Sequence, residues 1–307
     1  AKHLNVELTL DDWEKWGEEI PLLVNLQPAG QFLGEGFFHA GGVPVVMQEL
    51  YRKNKLNNNA ITVSGKSISE NLKDIKKFEN IVIKNYEEPI KEKAGFLVLR
   101  SNFFDTAIMK MSVVSEEFKQ RYLSNHKHPM LFKARAIIFN GPEHYHSEIN
   151  NPELNIDEDC ILMIRGCGPI GYPGAAEVVN MQPPDHLLKK GITALPCLGD
   201  GRQSGTSESA SILNVSPEAA AGGRLSIIEN NDIIRVDLIN KRVDVMLDES
   251  VIEDRMKKIK IKYPDNQTPW QEISRRYTGQ LSDGACLDTT DDYFDVANTK
   301  GIPRDNH

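Results

Sequence analysis

Residues 232–247 constrain the fold more tightly than any other stretch of the chain. Ile234, Val236 and Leu238 alternate with Arg235 and Asp237, and after Asn240-Lys241 the alternation resumes as Val243, Val245 and Leu247 against Arg242 and Asp244. A period of two puts each apolar set on one face of a pleated strand, and an asparagine between two such runs is turn chemistry. The stretch predicts an antiparallel hairpin with one buried face, so the chain must build a sheet over a core. Apolar, β-rich runs at Phe96–Leu99, 134–139, 160–164, 192–195 and 225–228 predict further strands. Ser250-x-x-Glu253 predicts a capped helix running to about Lys258.

The first 90 residues have a different character. Thr9-Leu10-Asp11-Asp12 reads as a helix start, with Trp13, Trp16 and Ile20 on one face. A second helix is predicted from about Val43, with Pro44 in its first turn and Val43, Val46, Met47 and Leu50 on one side. The pair Gly41-Gly42 before it favours close packing over ligand contact. Residues 86–95, charged and proline-containing, read as a linker. The expected organisation is an α/β segment over residues 1–90 and a mainly β domain with peripheral helices over 91–307.

Composition narrows the function classes. With 36 basic and 44 acidic residues the 307-residue chain carries a net charge of −8, which disfavours nucleic acid and anionic membranes as partners. No apolar run approaches the roughly 20 residues that span a bilayer. The opening Ala1-Lys2-His3-Leu4 leads into an acidic stretch and not an apolar core, so a cytoplasmic protein is expected. Cys160, Cys167, Cys197 and Cys286 form no C-x-x-C pair and are expected to be reduced, small buried side chains, with no metal or cluster among them.

Three short motifs offer chemistry. Gly166-Cys-Gly168-Pro-Ile-Gly171 fits the dinucleotide pattern G-x-G-x-x-G, but Pro169 and Pro173 deny it the long helix that such a loop opens. A tight turn presenting Glu177, with a short helix at about 174–180, fits better. Glu143-His144-Tyr145-His146 would place both imidazoles on one face if it were a strand, as a metal site needs, although hydrogen-bonded structure is the commoner role. Ser204 lies in Gly201-Arg-Gln-Ser-Gly-Thr-Ser207, a glycine- and hydroxyl-rich loop that is not a G-x-S-x-G nucleophile elbow. By residue chemistry alone this loop reads as a polar turn, and a hydrolase ranks behind the readings below.

Taken in order, these segments resemble the dihydroxyacid and sugar-acid dehydratase family over nearly the whole chain. The matching stretches are Ala40-Gly-Gly-Val-Pro44, Thr62-Val-Ser-Gly-Lys66 with Glu70-Asn71, and Leu99-Arg-Ser-Asn-Phe-Phe-Asp105 with Ala107-Ile-Met-Lys110. They continue with Gly168-Pro-Ile-Gly-Tyr-Pro-Gly174, Asp200-Gly-Arg-Gln-Ser-Gly205, and Ser216-Pro-Glu-Ala219 with Gly222-Gly223. Residues 102–110 and the ending Gly301-Ile-Pro-Arg-Asp-Asn-His307 are similar to the pentonate branch, that of arabinonate and xylonate dehydratases.

The resemblance implies removal of water from a 2,3-dihydroxy acid to give a 2-keto-3-deoxy acid. It implies Ser204 as the proton-abstracting base, Thr206 and His307 as substrate-binding residues, and Glu177 as a magnesium ligand. It implies Mg2+ and an iron–sulfur cluster of the 2Fe-2S type as cofactors, an aldonic acid as substrate, and a homo-oligomer, dimer or tetramer. The cluster cysteines, the remaining magnesium ligands and a modified lysine belong to the family's N-terminal half, which this chain is expected to lack. Residues 1–90 are then the remnant of an α/β domain, the rest a barrel-like swivelling C-terminal domain, and the chain is inactive alone. A truncated, non-catalytic assembly partner or binding module is the competing expectation.

Overall fold

The computed structural model of the protein describes residues 1–76, 79–204, 210–261, 263 and 267–287. The chain divides into two compact units, Trp16–Gly95 with Met111–Val113, and Ala1–Lys15 with Phe96–Lys110 and Val114–His307.

The larger unit is organised by one eight-stranded sheet. Its strands are β1 (Phe96–Leu99), β2 (Thr106–Lys110), β3 (Leu131–Asn140), β4 (Cys160–Arg165), β5 (Cys197–Gly199), β6 (Ser211–Ser216), β7 (Ile233–Asp237) and β8 (Arg242–Val245). Their order is β1-β2-β6-β5-β4-β3-β7-β8. The centre, β3-β4-β5-β6, is parallel, and the flanking pairs β1-β2, β2-β6, β3-β7 and β7-β8 are antiparallel. Beyond the end of β1, Arg100 N–H donates to the Lys241 carbonyl at 3.0 Å, and Val243 N–H donates to the Arg100 carbonyl at 2.9 Å. The two outer strands are thereby joined, and the sheet is a nearly closed barrel.

Parallel strands covered on both faces need uninterrupted apolar sequence. Accordingly Ile161, Leu162, Met163 and Ile164 of β4 are all fully buried, each contributing about 1.5–3 kcal/mol by leaving water. Leu162 and Ile164 pack with Ile137, Phe139, Leu195 and Leu213 in one core. The hairpin at 232–247 forms as its alternation predicts. Val236 pairs with Val243, Ile234 with Val245, and Lys241 takes the left-handed turn conformation at φ 53°. At the N-terminus, Asp12 accepts from Thr9 N–H at 2.8 Å and starts the helix Leu10–Gly17. Trp13 packs edge-on against Phe96 with ring centroids 5.3 Å apart, and Arg100 pairs with Asp11 at 2.7 Å and Glu14 at 3.2 Å.

Several expectations need correction. Residues 192–195 are irregular, with Ile192 and Leu195 buried, and β5 begins two residues later, after Pro196. The run at 225–228 lies in a 3-10 turn, Arg224–Ile227. Runs of four residues carry too little periodicity to separate these outcomes. The helix expected near 250 is Glu249–Met256, and its N-cap is Asp248 in place of Ser250. Strands β2 and β6 and the helix Pro269–Tyr277, capped by a Thr268–Gln271 capping box, were not anticipated.

The smaller unit holds the helices Gly34–His39, Gly42–Arg52 and Ile68–Leu72. In Gly42–Arg52 the buried residues are Val45 and Glu49, and Val43 is exposed. The Glu49 carboxylate tolerates burial because it accepts from Arg52 Nη1 at 2.9 Å and Tyr86 N–H at 3.1 Å. Gly41 takes φ 100°, and a Cβ there would collide with Val45 Cγ2, so this glycine serves packing. No helix among the described residues is long and apolar enough to cross a membrane.

Candidate functional site

Two loops leave the carboxyl ends of adjacent parallel strands, the position where α/β sheets commonly carry their sites. One follows β4 as residues 166–174; the other follows β5 as residues 200–204. Buried carboxylates hold the first loop in shape. Asp200, fully buried, accepts from Gly166 N–H at 3.0 Å, Cys167 N–H at 2.8 Å and Ala219 N–H at 2.9 Å. Glu218, also fully buried, accepts from Ile170 N–H and Gly171 N–H at 2.9 Å each and from Gln280 Nε2 at 3.0 Å.

These bonds decide how the G-x-G-x-x-G pattern is used. The N–H groups that would cradle a phosphate are given to protein carboxylates, and an anion placed there would meet two negative charges. The glycines answer to space. A Cβ on Gly168 would run into the Glu218 carboxylate, and one on Gly201 would lie 2.7 Å from the Ala176 carbonyl. Burial raises the Asp200 carboxyl to about 6, against the pull of its three N–H donors.

The second loop lies against the continuation of the first. Residues 174–180 are not helical; Gly174 at φ 95° and Ala175 at φ 53° prevent it. Their backbone pairs with Arg202 instead. Arg202 N–H donates to the Ala176 carbonyl at 2.8 Å, and Val179 N–H donates to the Arg202 carbonyl at 3.2 Å. Glu177 bridges Arg202 in this pairing, and their side chains form an ion pair at 3.1 Å, both about half exposed (46% and 45%).

Glu177 is thereby held beside a backbone two residues short of Ser204. Ser204 is half-buried, and its carbonyl accepts from Lys110 Nζ at 3.4 Å. Burial holds the Lys110 ammonium below the usual lysine range. Thr206 and His307 lie outside the described residues.

The histidines do not assemble. His144 and His146 sit on the helix Pro142–Glu148, where a two-residue step turns about 200° and separates their faces. His144 Nδ1 accepts from Asn140 N–H at 3.0 Å. Among the described residues, no three His, Cys, Asp or Glu side chains are grouped as a metal site. Cys160, Cys167 and Cys197 are buried and in no disulfide; burial pushes Cys160 up to about 11 and Cys167 higher still, which favours the thiol over a ligating thiolate at those two. The described residues therefore supply neither a cluster site nor a complete magnesium site. Glu177 fits a single carboxylate ligand, in competition with Arg202.

On the other side of the glycine turn lies a cavity of about 760 Å³, lined by Asn140, Arg165, Tyr172 and Gln271 among others, with neither Glu177 nor Ser204. Arg165 is spent there on structure, donating to Asn140 Oδ1 at 2.7 Å and to the Ser226 and Ile228 carbonyls at 2.6 and 2.9 Å.

The family is decided by sequence comparison. The family model described as dihydroxy-acid/6-phosphogluconate dehydratase C-terminal matches residues 81–285, and the N-terminal model of the same family matches residues 1–71. The chain belongs to the dihydroxy-acid/6-phosphogluconate dehydratase family. Within this dehydratase family, a D-xylonate dehydratase of Caulobacter vibrioides is 54% identical over 307 residues, all of this chain and 51% of the relative. An L-arabinonate dehydratase of Rhizobium leguminosarum bv. trifolii is 38% identical over 257 residues, 83% of this chain and 42% of the relative. A dihydroxy-acid dehydratase of Acetivibrio thermocellus is 33% identical over 284 residues, covering 92% and 47%. The identities support the pentonate branch of the dehydratases. The chain spans about half the length of the curated relatives it matches.

Proposed function

We propose that this chain is the catalytic C-terminal half of an aldonate dehydratase, with Ser204 as the base. The observation carrying this reading is the pairing of the Glu177 segment with the Ser204 loop at the carboxyl ends of β4 and β5, in a chain 54% identical to a D-xylonate dehydratase. The Ser204 alkoxide takes the C2 proton of a 2,3-dihydroxy acid, and the C2–H electron pair forms the C2–C3 double bond. The C3 hydroxyl departs with its bonding pair as hydroxide, which becomes water by taking the proton back from Ser204 and so restores the alkoxide. The resulting enol tautomerises to the 2-keto-3-deoxy acid.

A neutral serine hydroxyl is far too weak a base for this step, so positive charge beside the loop must favour its alkoxide. When bound, a magnesium ion would supply Lewis acidity toward the substrate, and an iron–sulfur cluster of the 2Fe-2S type would supply a Lewis acid for loss of the hydroxyl. Glu177 would give one oxygen to that magnesium, and the other ligands, with the cluster cysteines, would come from a companion N-terminal half. Residues 1–90 are then the remaining part of that half, the chain alone is inactive, and Thr206 and His307 contact substrate. The working protein is a homo-oligomer acting on a small sugar acid.

A panel of pentonic and hexonic acids tests this reading, with 2-keto-3-deoxy product followed in the full-length protein. Turnover of at least one pentonate is expected; no product from any aldonic acid would contradict it. Glu177→Gln is expected to raise the magnesium concentration for half-maximal activity by roughly tenfold or more. An unchanged magnesium titration would remove Glu177 from the metal site.

A further inference from the structure

Lys110 is the last residue of β2, and the strand places it in a defined direction. Ala107 and Met109 face the buried side, while Thr106, Ile108 and Lys110 alternate onto the other. Both neighbours fix this strand. Lys110 pairs with Phe96 of β1, and Met109 pairs with Ile212 of β6, the strand that follows the Ser204 loop. The lysine stem is therefore rigidly based where the loop returns to the sheet. Its Nζ donates to the Ser204 carbonyl at 3.4 Å.

The placement is costly for a purely structural residue. A partly buried ammonium without a carboxylate loses hydration that a single carbonyl restores only in part. Among the described residues no carboxylate forms an ion pair with Lys110, and the lowering of its pKa comes from burial, with no charged side chain contributing. A methionine or leucine would fill the same position at less cost. One of its three N–H donors is engaged by a described partner, leaving the charge directed at the serine's surroundings.

We propose that Lys110 is the positioning residue of Ser204, tethering the loop through the serine carbonyl and supplying the positive charge that favours the Ser204 alkoxide. This rests on the reading of Ser204 as the base. Tether and charge are separable, because glutamine keeps a donor without the charge, arginine keeps both, and methionine keeps neither.

The test uses Lys110→Met, Lys110→Gln and Lys110→Arg in the full-length protein, with two readouts. The first is amide hydrogen exchange of the segment 199–211, which is independent of turnover. Exchange should accelerate roughly five- to tenfold in Lys110→Met, as for loss of one hydrogen bond, and remain near wild type in Lys110→Arg. The second is the pH profile of kcat/KM. Its basic-form limb should move up by about one unit in Lys110→Gln and Lys110→Met, with kcat falling more than KM changes, and stay in place in Lys110→Arg.

Wild-type exchange in Lys110→Met together with an unmoved limb in Lys110→Gln would overturn the proposal, even where Ser204→Ala is inactive. If Lys110→Met does not unfold cooperatively, the glutamine and arginine variants decide: an unmoved limb in Lys110→Gln overturns the role of the charge. If the wild-type protein turns over no aldonate while exchange responds as expected, the tether stands and the dehydratase reading fails.

Discussion

Ser204→Ala in the full-length protein is expected to lower kcat/KM by about 10²–10⁴-fold, the range lost with a positioned general base, while substrate affinity stays within a few-fold of wild type. The loop geometry supports a selective effect. Arg202 ties the loop backbone to Ala176 and Val179, and Lys110 holds the Ser204 carbonyl. These contacts run through backbone N–H and carbonyl groups that an alanine at 204 retains, so the loop pairing should persist in the variant. Steady-state kinetics with a pentonate, alongside circular dichroism of both proteins, would measure this. A variant with wild-type kcat/KM would exclude Ser204 as the base.

Local patterns in the sequence were readable wherever one face of one element decided the outcome. The hairpin at 232–247 was legible because its alternation is long, and β1 because Phe96–Leu99 is bounded by turn residues. The glycine turn and its link to Glu177 were legible as a motif, but its glycine pattern acquired a physical reason only from the fold. The carboxylates that shape it come from 34 and 48 residues further along the chain. Lys110 lies 94 residues from Ser204. No periodicity links such pairs, since β2 and β6 are neighbours in the sheet and distant in the chain. An acid enclosed by apolar and glycine residues, as Asp200 is in Cys197-Leu-Gly-Asp-Gly201, is the one local sign that a buried carboxylate serves the backbone. The histidine pair failed as a site because Gly141-Pro142 starts a helix there, and a helix separates residues that a strand would align.

Asp200→Ala is expected to destabilise the protein by about 3–5 kcal/mol, because it leaves three buried N–H groups without their acceptor. Asp200→Asn should cost about 1–3 kcal/mol. Its amide oxygen can still accept from Gly166 and Ala219 N–H, which share Oδ2, but its NH2 would face the Cys167 N–H that Oδ1 now accepts.

The pH dependence has a definite sign. Burial raises this carboxyl from 3.8 to about 6 in the folded protein, so the folded state binds the proton more tightly than the unfolded chain. The stability contribution of the protonated group is complete below pH 3.8 and is lost as the pH rises through about 6. The loss amounts to roughly 3 kcal/mol at about 1.4 kcal/mol per unit. Urea denaturation at intervals between pH 4 and 7 should therefore show this component of the slope in wild type and its absence in Asp200→Asn. Identical slopes in the two proteins would mean that Asp200 does not titrate in this window.

The most direct test of Ser204 as the base is the fate of the C2 hydrogen. With a C2-deuterated pentonate in single turnover, the full-length wild-type protein should release deuterium to solvent in step with 2-keto-3-deoxy product, and Ser204→Ala should release neither. Release of deuterium by Ser204→Ala at the wild-type rate would contradict the assignment of proton abstraction to this serine.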